Sequence, residues 1–130
     1  MALSCGTKDG VAPSTDLVHY STSKAAIHAM SRGYAQALAR TGVTVNTLLV
    51  CPTAHPDATA ECTRRAAAEG VTLEQYQTRF FAKHRPTSIL GRYIEADEIA
   101  ELVAFIVADE AGFASGATWR ADCGNLTSIS

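Results

Sequence analysis

The spacing of apolar residues changes period several times along the chain, and each change marks an element. Residues 18–40 place Ile27, Met30, Tyr34, Ala37 and Leu38 at helical spacing among many alanines, with Gly42 where a C-terminal cap belongs. This predicts a long first helix with an apolar stripe, whose alanines let it pack closely on its neighbours. Residues 43–50, V-T-V-N-T-L-L-V, are an almost unbroken β-branched and apolar run, the pattern of a strand buried on both faces of a parallel sheet. Before the helix, residues 1–4 read as the end of a strand, and the glycines, proline and small polar residues of 6–16 as a loop.

Downstream, residues 57–69 read as a helix stopped at Gly70. Thr72, with Gln75 three residues on, offers a capping box for another over 73–83, which Pro86 ends. Residues 96–109 give the cleanest amphipathic pattern, with Ile99, Leu102, Val103, Ile106 and Val107 on one stripe and Glu95, Asp97 and Glu98 at the positive helix start. After a glycine-bounded turn at 112–116, residues 117–121 read as a last strand, with Trp119 its bulkiest member. Helices alternating with strands predict an α/β fold, yet so few strands give the helices little sheet to cover. The pattern is that of part of a larger doubly wound sheet.

Composition changes this picture little. The chain has 130 residues, 47% hydrophobic and 18% charged, which is ordinary for one globular domain. Eleven Lys and Arg against thirteen Asp and Glu leave a net charge of -2 without a basic block, which argues against a nucleic acid or an anionic membrane surface as partner. There is no apolar run of about 18 residues and no leader pattern at the N-terminus, so a cytoplasmic protein is expected. Cys5, Cys51, Cys62 and Cys123, and His19, His28, His55 and His84, show no metal-ligand spacing; free thiols and no metal site are expected.

Candidate chemistry enters at Tyr20-Ser-Thr-Ser-Lys24. Residues four apart on a helix share a face, and an ammonium beside a phenol stabilises the phenolate, which suits the phenol to proton transfer. With that pair stand H-Y-S-T-S-K-A-A at 19–26, V-T-V-N-T-L-L at 43–49, R-P-T-S-I-L-G-R at 85–92, D-E-I-A-E-L-V-A-F-I at 97–106 and G-A-T-W-R-A-D-C-G at 116–124. In this order they make the chain resemble, over essentially its whole length, the C-terminal half of a short-chain dehydrogenase/reductase.

The resemblance implies the C-terminal part of a Rossmann-like doubly wound parallel sheet with the N-terminal βαβ units missing. It implies a single partial domain: residues 1–50 would supply the catalytic helix and strand, 51–94 the substrate lid, and 95–130 the C-terminal helix and strand. Tyr20 would be the acid or base, and Lys24 would hold the nicotinamide ribose. Thr7 would stand where the family has a serine that hydrogen-bonds the reacting oxygen, with Ser4 as the alternative. Tyr20, Lys24, Cys51, Pro52 and Thr53 would contact NAD or NADP, and a small-molecule alcohol or carbonyl would be the substrate.

Three departures qualify the resemblance. Cys51 stands in place of a glycine beside the nicotinamide, and Cys123 replaces another glycine near the end, with the smaller expected effect. The glycine-rich turn that holds the pyrophosphate is absent from this sequence, so tight cofactor binding by the chain alone is not expected. Two functions follow: a truncated NAD(P)-dependent oxidoreductase, inactive alone, or a non-catalytic remnant acting through the family's oligomerisation surfaces. Ala25, Ala29 and Ala37 would pack helices closely in a homo-oligomer, with Trp119 anchoring a second contact. Tyr76, Phe80 and Phe81 would line the lid or pack its core. An open strand edge and uncovered helix faces also predict poor stability.

Overall fold

The computed structural model describes residues 1–129. Three strands, β1 (Ala2–Gly6), β2 (Val45–Val50) and β3 (Thr118–Ala121), form a parallel sheet in the order β1-β2-β3. Ala2 lies opposite Val45 at one end of the first pair, and Val50 opposite Ala121 at the far end of the second. The expected two-sided burial is found in β2, where Val45 to Leu49 are all buried. Asn46 is buried in the middle of this apolar run because its amide has work at both ends. Its Nδ2 donates to the Ala114 carbonyl at 3.0 Å and its Oδ1 accepts from the Ala117 amide at 3.1 Å, fixing the approach to β3.

Helix α1 (Val18–Ala37) crosses from β1 to β2. It ends three residues before the predicted limit, where Arg40 and Gly42 turn the backbone into the left-handed region at φ 67° and 79°. Its apolar stripe is not its buried face. The buried residues are Ser21 and Ser31, whereas Met30 and Tyr34 are 52% and 56% exposed and Ala37 is also exposed. The helix turns small and polar residues toward the sheet, which lets backbones approach, and its larger apolar side chains point away.

Helices α2 (Pro56–Ala68) and α3 (Leu73–His84) form an antiparallel-sequence pair between β2 and the C-terminal segment. The Thr72 box is present: its hydroxyl accepts from the Gln75 amide at 3.2 Å and the Gln75 side chain accepts from the Thr72 amide at 3.0 Å. Such a cap stabilises a helix by about 1 kcal/mol. Phe81, Cys62 and Ala66 are buried between the pair, and Phe81 meets Tyr93 edge-on at 5.0 Å while Phe80 stacks on the same ring at 6.0 Å. Phe80 and Phe81 therefore pack within the lid rather than standing free on its surface.

Helix α4 (Ala96–Val107) presents Ile106 to the core, but Val107, placed on the inward stripe by its spacing, is 47% exposed. The chain leaves the helix at Ala108, so Val107 no longer follows the buried face. Trp119 packs edge-on against Phe105 of α4 at 5.8 Å. The acidic start of α4 is tied down by Glu98, which accepts from the Glu95 amide at 2.9 Å and from both terminal nitrogens of Arg92 at 2.7 Å.

Candidate functional site

The site grows from the carboxyl ends of β1 and β2, where parallel strands release their loops. After Gly6 the chain makes a tight turn in which the Gly10 amide donates to the Thr7 carbonyl at 3.0 Å. Thr7 is buried, and its hydroxyl lies 3.5 Å from Asp9, which Lys8 pairs at 3.1 Å. Ser4, the alternative to Thr7, faces β2 instead: its hydroxyl shares a hydrogen bond with Thr47 at 2.9 Å within the sheet. The turn then lies against α1 so closely that a Cβ on Gly10 would come within 2.9 Å of the Lys24 carbonyl carbon.

On α1, Tyr20 and Lys24 meet as their spacing requires. The Lys24 Nζ stands 5.5 Å from the centroid of the Tyr20 ring, and the phenol edge of the molecule is 37% exposed. Lys24 has no carboxylate partner among the described residues, so its charge is directed at the ring and at solvent. The helix start is anchored by Ser21, whose buried hydroxyl accepts from the Ser14 amide at 3.2 Å.

The third contribution is the segment leaving β2. The Cys51 amide donates to the Ala121 carbonyl at 3.1 Å, and Thr53 bridges to Ile94, with the Ile94 amide donating to the Pro52 carbonyl at 2.9 Å. Cys51, Pro52 and Thr53 are thus held extended between the sheet and the start of the C-terminal segment, all half-buried. Burial pushes the Cys51 thiol up from its ordinary range, while the charges of Arg85 and Lys8 draw it back and those of Asp9 and Asp122 oppose them.

The two glycine replacements differ in a way the sequence ranked in the opposite order. Cys51 has an ordinary backbone conformation, whereas Cys123 sits at φ 52°, in the left-handed region that favours glycine. Beside it, burial pushes the Asp122 carboxyl up, but the Leu126 amide, the Arg120 guanidinium at 2.9 Å and the Gly124 amide together hold it below the usual carboxylate range. That cluster fixes the chain after β3.

Two residues of the site escaped the sequence reading. Arg85 closes α3 with its Nε buried and unpartnered. His28 follows Lys24 by one turn on the same face, a spacing legible in the sequence, and its ring fills the space between Gly6 and Gly10: a Cβ on either glycine would come within 2.6 Å and 2.7 Å of it. Burial holds His28 below the ordinary imidazole range, offset in part by the Thr7 backbone, and its Nε2 is buried without a partner.

A family model described as enoyl-(acyl carrier protein) reductase matches residues 2–125. The chain belongs to the short-chain dehydrogenase/reductase family. It is 31% identical over 127 residues to the uncharacterised oxidoreductase YvrD of Bacillus subtilis (strain 168), covering 98% of this chain and 48% of that protein. Over 119 residues it is 33% identical to the oxidoreductase YvaG of the same organism, covering 92% and 45%. Among solved structures, the L-sorbose reductase of Gluconobacter frateurii, complexed with NADPH and L-sorbose, superposes with a TM-score of 0.83 at 20% identity, covering 98% of this chain and 48% of that one. The dehydrogenase/reductase chain therefore spans about half the length of the curated relatives it matches, and its three parallel strands and four helices are the matching part of a Rossmann-like sheet. No described helix is long and apolar enough to cross a membrane.

Proposed function

We propose that this chain carries the proton-transfer end of a nicotinamide-dependent oxidoreductase that interconverts a small alcohol and its carbonyl. The observation that supports this reading best is the Tyr20–Lys24 pair, with Nζ 5.5 Å from the ring centroid, set beside the Thr7 turn at the strands' carboxyl ends. Lys24 has no carboxylate partner among the described residues and is free to bind a ribose, and Tyr20, Lys24, Cys51, Pro52 and Thr53 would hold the nicotinamide end of NADP or NAD. When bound, that cofactor supplies or accepts the hydride.

The chain's own residues account for the proton. In carbonyl reduction the Tyr20 hydroxyl donates its proton to the substrate oxygen; in alcohol oxidation the phenolate takes it back. Lys24 favours the phenolate by its charge, and Thr7 donates a hydrogen bond to the reacting oxygen once its hydroxyl leaves the long contact with Asp9. The lid, α2 and α3, excludes water over this end. The protein acts in the cytoplasm on a freely diffusing substrate. The test is stopped-flow turnover of wild type and Tyr20→Phe with NADPH or NADH and a panel of aldehydes and ketones: the variant loses turnover while its folding is unchanged, and turnover at the original rate would remove Tyr20 from the role.

A second reading is favoured by the outer face of α1, where Met30 and Tyr34 are 52% and 56% exposed. It is that the chain associates with copies of itself across this face, with or without catalysis. Sedimentation of wild type and Met30→Lys/Tyr34→Lys distinguishes it: association that survives both charges would place the contact elsewhere.

A further inference from the structure

We propose that His28 is a positioning residue that holds the Thr7 turn against the helix carrying Tyr20 and Lys24, and so sets the distance between the hydroxyl donor and the acid/base pair. The inference rests on the proton-transfer reading above and adds to it a residue that touches neither substrate nor cofactor.

Four observations converge on it. Tyr20, Lys24 and His28 recur at one-turn spacing, so the ring rises from the same face as the pair. Its target is the turn holding Thr7, because the two nearest backbones are Gly6 and Gly10, which bracket that residue. A side chain on either glycine would displace the ring: a Cβ on Gly6 would meet His28 Nε2 at 2.6 Å and Cε1 at 2.8 Å, and one on Gly10 would meet Cδ2 at 2.7 Å and Nε2 at 2.8 Å. Gly6 needs the space for contact rather than conformation, since neither glycine has a positive φ. Finally, Nε2, the ring atom that faces both glycines, is buried without a hydrogen-bond partner, so at that edge the ring meets the turn by shape.

A close-packed wedge of this kind transmits small displacements, because packed interiors do not stretch. Removing it frees Gly6–Gly10 to relax toward α1, moving Thr7 relative to Tyr20. Misplacement of a catalytic group by about 1 Å costs up to about 100-fold in rate. The wedge also has an acid limit. Lys8 and Asp9 lie in the turn, Lys24 and Arg32 one turn away along the helix, and the facing strand β2 (Val45–Val50) brings no ionisable group. Protonation would put a charge on a ring whose Nε2 is buried without a partner against the turn.

Two measurements on the full chain test this separately from the oxidoreductase reading. In the first, the Thr7 methyl and the Gly6 and Gly10 amides are followed by NMR from about pH 7 to 5. They are expected to move together with a midpoint below that of free histidine in wild type and in Asp9→Asn, and to lose that transition in His28→Gln. Resonances that stay still, or that move alike in His28→Gln, would overturn the proposal whether or not the chain turns over substrate. In the second, His28→Ala is expected to lower kcat by about 10- to 100-fold at unchanged KM for the nicotinamide cofactor, with recovery on adding imidazole to refill the slot. A loss shared equally by kcat and KM, or one that imidazole does not restore in a variant that remains folded, would reduce His28 to a structural plug. Absence of turnover in wild type would fail the oxidoreductase reading instead, and the NMR result would then decide the wedge alone.

Discussion

The unit β1–α1–β2 and the helix pair α2–α3, the segment expected to be a lid, solve the same packing problem in opposite ways. The pair buries what its sequence makes apolar: Phe81, Cys62 and Ala66 are buried, Phe80 and Phe81 share the Tyr93 ring, and the capping box of Thr72 and Gln75 fixes the entry to α3. In β1–α1–β2 the helix buries two serines, fits a histidine between two glycines, and leaves Val18, Met30 and Tyr34 outside. The α2–α3 pair gains its stability from side-chain volume. Helix α1, set against the Thr7 turn, gains more from close backbone approach.

The comparison makes different demands on the two regions, and substitutions should separate them. The largest stability effect is expected in the lid: Phe81→Ala should cost about 3 to 5 kcal/mol in urea melts, because it empties the centre of the aromatic group. Met30→Ala on the outer face of α1 should stay within about 0.5 kcal/mol in dilute solution, and a loss like that of Phe81 would mean the face is covered. Next, Cys123→Gly should stabilise the chain by about 1 kcal/mol by relieving a left-handed cysteine, whereas Cys51→Gly should bring no such gain. Thr72→Ala should cost about 1 kcal/mol and act on the lid alone, read as faster amide exchange in the first turn of α3.

Acid sharpens the contrast further. His28 has a folded value below its unfolded one, so the unfolded chain binds its proton first; the contribution is complete above the ordinary imidazole value and is lost as pH falls through the lowered one. Asp122 has the same sign at lower pH: its contribution is present above the ordinary carboxyl range and disappears as pH falls through the depressed value. Acid titration followed by circular dichroism should show a first loss in mildly acidic solution, absent in His28→Gln, and a second in strong acid, absent in Asp122→Asn. The effect at His28 should be the smaller of these changes because the Thr7 backbone offsets part of its burial.

Elements were easier to read from the sequence than faces. The capping box, the glycine stops and the two-sided burial of β2 follow from local chemistry and periodicity, which act within a few residues. The inward face of α1 does not: hydropathy favours Met30 and Tyr34, whereas Ser21 and Ser31 are the buried residues and His28 turns to the glycines of another segment. For the candidate site, Tyr20 and Lys24 were legible as a helical pair, and Thr7 only through the family resemblance. The ring of His28 in the Thr7 turn was not, because it depends on where β1 delivers Gly6 and Gly10. The ranking of the two cysteines failed for a related reason, since a missing glycine matters through its φ, and sequence alone does not give φ.

The central claim is that Tyr20 and Lys24 form the nicotinamide end of an oxidoreductase site, and titration of the purified chain with NADPH and NADH, followed by nicotinamide fluorescence, tests it most directly. Saturable binding near about millimolar, worth roughly 4 kcal/mol, and weakened severalfold by Lys24→Met, is the predicted result. No saturation in that range, or saturation indifferent to Lys24→Met, would contradict it.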